Sequence, residues 1–207
     1  MHRNPTPKQV LRAETCRETY RTLSSGILHT EKPVVSIDIE VWDVDHSRLK
    51  EVGIVVVVNG RVVTSIHWRI KENATLRNRY TTVQQSPYVY GLSVVVNSGA
   101  IHQLLSDALT ECTKRWGEYT LIAHNIKSDM RFLRLSLPHF SLPQPVTLVD
   151  TQDFYCGYKQ VVQAPSVSAI AAEAGVPFPA EWRHNAGNDA WITAAWVVKL
   201  SRAGKDN

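Results

Sequence analysis

From Pro33 the chain reads PVVSIDIEV, a β-branched apolar run that predicts a buried strand. The stretch EVGIVVVVNGRVVTSIHWRI (51–70) holds two apolar runs joined by Asn59-Gly60, a dipeptide that tolerates positive φ and predicts a hairpin. A polar stretch rich in Arg, Asn and Gln, 71–85, reads as a loop. Beyond Ser98, the residues Ile101, Leu104, Leu105, Ala108, Leu109, Cys112 and Trp116 recur at helical spacing and predict one apolar helix face. YTLIAHN (119–125) is expected as a short strand, and SDMRFLRLSL (128–137) as a helix stopped by Pro138. VTLVDT (146–151) reads as another strand. VSAIAAEAGV (167–176) and NDAWITAAWVVKL (188–200) read as helices, the first ended by Gly175 and Pro177. There is no internal repeat and no low-complexity segment. A hairpin meander followed by alternating strands and helices implies an α/β domain with a mixed central sheet and helices on its faces.

Composition narrows the classes. At 207 residues the chain suits one domain with a substantial core, expected over 33–202, with a leader at 1–32 and a tail at 203–207. The longest aliphatic run, 54–58, is far short of a membrane span, and the first twenty residues lack the apolar core of a secretory signal. Cys16, Cys112 and Cys156 are far apart with no CxxC pair, which argues against a disulfide framework or structural zinc. An intracellular setting, cytoplasmic or nuclear, is expected. Net charge is +4, and residues 1–32 carry six Lys/Arg (Arg3, Lys8, Arg12, Arg17, Arg21, Lys32) against Glu14, Glu18 and Glu31. This basic leader has two readings, a phosphate-contacting arm or a solvated helix or tail.

The chemistry lies in the acids. Asp38 and Glu40 are two apart in a strand, so both point to one side of the sheet, with Ile37 and Ile39 on the other. Two such carboxylates repel, and a hard divalent cation with oxygen ligands would relieve them; a solvated strand end is the alternative. Asp129 follows the strand 119–125 and falls in the first turn of the next helix, with Ser128 as its expected N-cap. There it also suits the positive end of a helix dipole. His184 and Asp189 are five apart, an offset of about 140° on a continuous helix. Gly187 and Asn188 place His184 instead on the approach and Asp189 in the first turn.

The ordered set Asp38, Glu40, Asp129, His184 and Asp189 resembles the DEDDh branch of the 3′-to-5′ exonuclease superfamily, over about 34–200. The tyrosine branch would need Tyr at 185, where this chain has Asn185. The resemblance implies a ribonuclease-H-like architecture, two magnesium or manganese ions on the four carboxylates, and His184 as general base. It implies removal of nucleotides from single-stranded 3′ ends of RNA or DNA. Val41 and Trp42 occupy positions where relatives contact the terminal nucleotide, although Val41-Trp42-Asp43 departs from the small or hydroxyl residues common there. Trp42 has two readings, a base-stacking surface or a core residue. His124 and Asn125 are candidate contacts to a phosphate or sugar, with Asn125 alternatively capping the turn.

Asp150 and Asp153 are rival acids, better suited to tying a helix start. His67, His102 and His139 have no acidic neighbour in sequence and read as ordinary surface or partly buried residues. Trp182, Trp191 and Trp196 read as core. The HNAGNDA form resembles a mainly fungal subgroup that includes a partner of an Argonaute protein. A nucleic-acid- or protein-binding module and an endonuclease on the same fold stay open as alternatives.

Overall fold

A computed structural model describes residues 6–79 and 86–203. Arg3, the later part of the polar stretch 71–85 and most of the tail lie outside the described residues. The chain opens on α1 (Pro7–His29), started by a capping box. Thr6 Oγ1 accepts from the Gln9 N–H at 3.3 Å and Gln9 Oε1 accepts from the Thr6 N–H at 2.8 Å. Six strands follow in one sheet: β1 (Val34–Trp42), β2 (Asp45–Val58), β3 (Arg61–Ile70), β4 (Ser93–Val96), β5 (Tyr119–Ala123) and β6 (Val146–Asp150). Their order is β4-β3-β2-β1-β5-β6, with β2 antiparallel to both neighbours and the other pairs parallel. The hairpin turn between β2 and β3 is Asn59-Gly60, with φ of 50° and 68°, as its composition predicts.

Alternation along β1 and β2 builds two cores. Ile37, Ile39, Val52 and Ile54 face α2 (Ser98–Trp116) and α3 (Ile126–Ser136). Val34, Val55 and Val57 face the opposite layer of α1, α4 (Thr151–Lys159), α5 (Val167–Glu173) and α6 (Ala186–Ala203). Asp38 and Glu40 belong to this second face, at the end of β1 that emerges from beneath α6. The mixed sheet with helices on both faces is the ribonuclease-H-like arrangement. Among the described residues no helix is long and apolar enough to cross a membrane.

Three elements depart from the sequence expectations. Pro7–His29 is packed into the body, with Cys16, Leu23 and Ile27 buried. Three cationic side chains of this stretch are engaged internally: Arg12 pairs with Asp153 at 3.2 Å, Arg21 with Glu18 at 3.1 Å, and Lys32 with Glu118. They are correspondingly less available to a polyanion. β4 is a four-residue strand in a Gly- and Ser-containing stretch, too short for its period to show. The segment after VTLVD, TQDFYCGYK, is α4; its start is capped by Asp150 Oδ1, which accepts from the Gln152 N–H at 2.9 Å. The three cysteines are buried and unpaired.

Gly157 carries the contact between α1 and α4. A Cβ there would lie 2.0 Å from the Cys16 carbonyl oxygen and 2.8 Å from Tyr20 Cβ. Gly157→Ala is therefore expected to cost about 1–3 kcal/mol by overpacking, read from urea unfolding. Wild-type stability in that variant would show that α1 does not dock on α4 in this way.

Candidate active site

The acids converge because α6 begins almost on top of β2. A Cβ at Gly53 would lie 1.9 Å from the carbonyl oxygen of Ala186, so only glycine lets the helix terminus descend this far. Gly53 is the register partner of Asp38, and Glu51 that of Glu40. The first turn of α6 thus stands beside the β1 acids and delivers Asp189 to them. One carboxylate oxygen from each of Asp38, Glu40 and Asp189 lies within 4.8 Å of the others. Asp129 arrives from α3 on the opposite layer, and its Oδ1 accepts the Ile39 N–H at 3.0 Å, between the two strand acids. Ser128 is not the cap of α3. Asn125 occupies that position with φ 70°, and its Nδ2 donates to Ser128 Oγ at 2.8 Å.

His184 sits on the approach to α6, accessible to solvent, with a left-handed φ of 60°. Two buried asparagines hold this turn. Asn185 Oδ1 caps the helix by accepting the Asn188 N–H at 3.0 Å, and its Nδ2 donates to the Ser86 carbonyl at 2.9 Å. Asn188 Nδ2 donates to the carbonyls of Trp182 and Pro87, each at 2.8 Å, and its Oδ1 accepts the Val89 N–H at 3.0 Å. Each amide thus ties the His184 turn to the 86–89 segment. The two asparagines between His184 and Asp189 are fasteners of the turn.

Glu51 and His67 were not legible as part of the site. Glu51 Oε2 accepts the Ala186 N–H at 3.3 Å and stands 3.1 Å from His67 Nε2, while His67 Nδ1 is 2.8 Å from Ser93 Oγ. His67 is fully buried, which corrects its reading as a surface or partly buried residue. Its acidic partner is sixteen residues away in sequence and diagonal to it across the hairpin, where Gly53 is the register partner of His67 and Arg69 that of Glu51. The only sequence signal is the placement of Glu51 and Gly53 on the same strand side, facing Asp38 and Glu40.

Burial and mutual repulsion govern the electrostatics. Burial pushes the Asp38 carboxyl well above its ordinary range, helped by the charges of Asp189, Asp129, Glu40 and Glu51. Glu40 is raised to about 8 by burial, then by Asp189 and Glu51. Asp129 is raised to about 8 by burial, against the Ile39 N–H that favours its charge. Asp189 is raised to about 7 by burial, against the N–H groups of His184 and Asn185. An all-carboxylate donor set at this spacing fits a hard divalent cation such as magnesium or manganese, which would replace protons as the neutralising charge. Partial desolvation and then the Arg183 charge lower the His184 pKa, leaving a neutral imidazole able to accept a proton at pH 7.

The remaining candidates are spread around this centre. The Val41 side chain is in the core, and its carbonyl accepts from Asn78 Nδ2 at 3.2 Å. Trp42 is half-buried, its Nε1 donating to the Arg77 carbonyl at 3.0 Å. Asp43 Oδ2 accepts the Arg79 N–H at 2.6 Å, so exposed Arg77 and Arg79 stand beside the end of β1. His124 is half-buried, 3.4 Å from Thr151 Oγ1, and its pKa is lowered by burial. Asn125 is exposed, and its N–H donates to Asp150 Oδ1 at 3.0 Å. Asp150 and Asp153 stand outside the three-acid cluster, engaged with the α4 start and with Arg12 respectively. Of the three tryptophans expected in the core, Trp196 is fully buried, whereas Trp182 and Trp191 are only half-buried.

Residues 33–200 match the family described as DNA polymerase III subunit epsilon-like, C-terminal domain, of the DEDDh type. Among solved structures the chain is similar to the X-ray structure of the RNase domain of the yeast Pop2 protein. The two share 12% identity over 99% of this chain and 91% of that one, with a TM-score of 0.51, a likeness of fold. No curated protein matches the chain. Neither similarity bears on an Argonaute partner.

The raised carboxyls set the pH response of the metal-free protein. Groups titrating near 7 to 8 when folded and near 4 when unfolded hold more protons folded, so stability falls as pH rises from about 5 to 8. Melting in EDTA is expected to drop by several degrees over that range, less in Asp38→Asn and less again with millimolar manganese. A wild-type curve that matched Asp38→Asn at every pH would contradict the clustering of charge.

Proposed function

The chain belongs to the DEDDh family of DNA polymerase III epsilon-like proteins, and from that membership we propose that it is a metal-dependent 3′-to-5′ exonuclease acting on single-stranded RNA or DNA ends. The observation that carries this reading is the meeting of Asp38, Glu40 and Asp189 within 4.8 Å, with His184 on the turn that leads to Asp189. In this reading Asp38, Glu40, Asp129 and Asp189 hold two magnesium or manganese ions. When bound, such ions neutralise the acids, acidify a water and stabilise the departing oxygen.

The other steps belong to the protein. His184, neutral because partial desolvation and Arg183 lower its pKa, takes a proton from the water that attacks the terminal phosphorus. The new P–O bond forms as the bond to the upstream 3′ oxygen breaks. The products are a nucleoside 5′-monophosphate and a strand one nucleotide shorter. Asn185 and Asn188 hold the imidazole on its strained turn, and Glu51 caps the helix start that carries Asp189. Trp42 offers a half-buried ring for the terminal base, and the Val41 backbone, His124 and Asn125 complete the proposed rim. Arg77 and Arg79 add positive charge where phosphates would approach.

The test follows 5′-labelled single-stranded RNA and DNA with magnesium, manganese or EDTA. The expected result is a metal-dependent ladder shortening from the 3′ end. His184→Ala should slow it about 10²–10⁴-fold, and Asp38→Ala should abolish it. Strands bound but intact under every metal condition would instead identify a binding module, and internal cuts an endonuclease.

A further inference from the structure

Behind the acids, α6 carries a second surface. Trp191 follows Asp189 by two residues, a rotation of about 200°, so the two side chains leave opposite sides of the helix. Trp191, Ala195, Val198, Lys199 and Arg202 share the rear face. With Tyr90, Trp182 and Pro177 they line an open groove of about 580 Å³. Tyr90 and Trp191 are stacked with centroids 3.8 Å apart and planes 5° apart, and Trp182 meets Tyr90 edge-on at 6.0 Å. All three rings are only half-buried.

The groove's charge is one-sided. No acid is among its lining residues, and two cations are. Lys199 Nζ donates to the Gly175 carbonyl at 3.0 Å and Arg202 Nη2 to the Gly60 carbonyl at 2.9 Å, which spends one donor on each and neutralises neither. Among the described residues neither pairs with a carboxylate. Aromatic rings beside uncompensated cations are what a single nucleic-acid strand requires, bases stacking on the rings and phosphates meeting the charges. A purely structural aromatic cluster would have no need of open space or of unpaired cations along one edge.

The groove and the site in front share one segment, since Trp182 lines the groove and its carbonyl accepts from the Asn188 Nδ2 that fastens the His184 turn. Trp182 precedes His184 by two residues. From Trp191 to Arg202 the helix rises about 16 Å, a span of a few nucleotides. We propose that this groove is a second binding site, holding the single strand several nucleotides upstream of its reacting 3′ end. The proposal rests on the exonuclease reading for the direction of the strand, and it stands apart from that reading in its test.

Binding is measured in EDTA, where no hydrolysis occurs, by anisotropy of fluorescein-labelled thymidine and uridine 12-mers and 3-mers. The wild type should bind the 12-mers more tightly than the 3-mers. Trp191→Ala, which removes the ring on the side of α6 opposite Asp189, should weaken the 12-mers about tenfold. Lys199→Ala with Arg202→Ala should lower the slope of log affinity against log salt by about 1.4. Both variants should bind 3-mers as the wild type does. They should also hydrolyse the p-nitrophenyl ester of thymidine 5′-monophosphate at wild-type rates with manganese, which shows an intact fold and front site. Equal 12-mer affinity and equal salt slope in wild type and both variants, or a wild type that does not prefer 12-mers, would overturn the groove. A wild type that binds as described but hydrolyses neither the ester nor any strand would leave the groove standing and sink the exonuclease reading.

Discussion

The contact between the Ala186 backbone and the bare α-carbon of Gly53 is the constraint on which the site depends. It lets α6 start directly over the β2 position that pairs with Asp38, and so brings Asp189 to the two acids of β1. Any side chain at 53 would lift the helix and separate the three carboxylates. The contact also explains what surrounds it. A helix start pressed against a sheet must satisfy its leading N–H groups without water, and Glu51 and Asn185 supply acceptors for Ala186 and Asn188. Gly187 continues the close fit, since a Cβ there would meet Tyr88 at 2.7 Å and His67 Cβ at 2.9 Å.

This assembly holds like charges together in a buried place. The fold tolerates it by protonation or by a cation, and the upward shifts of Glu40, Asp129 and Asp189 express that tension. Hydrogen bonds to the acids come from the backbone at Ile39, His184 and Asn185, and they fix positions without cancelling the charge. The backbone thus positions Asp129 and Asp189 without a ligand. The His184 turn gains its own rigidity from Asn185 and Asn188, whose bonds to Ser86, Pro87 and Val89 couple it to a segment nearly a hundred residues earlier.

The parts of this arrangement that were readable from sequence are those encoded locally. The β1 run, the Asn59-Gly60 hairpin and the apolar faces of α2 and α6 carry their own periodicity. The ordered set Asp38, Glu40, Asp129, His184 and Asp189 stands out because residue type and order coincide. The parts that were not readable depend on distant partners. The pairing of His67 with Glu51 requires knowing that two strands lie side by side. Asn185 and Asn188 look like ordinary turn residues until the 86–89 segment is placed against them. The docking of α1 turns on the missing side chain of Gly157, a contact across 141 positions from Cys16 that no local pattern encodes. Trp182 and Trp191 have core-like composition, and only the fold shows that they border an open groove.

The central claim is that Asp38, Glu40, Asp129 and Asp189 form a divalent-cation centre beside His184. A crystal structure with manganese and a nucleoside 5′-monophosphate tests it most directly. The account predicts anomalous peaks for manganese bonded to Asp38, Glu40 and Asp189, with the His184 imidazole turned toward the phosphate. Saturating manganese with no peak at these carboxylates, or with the phosphate bound elsewhere, would contradict it.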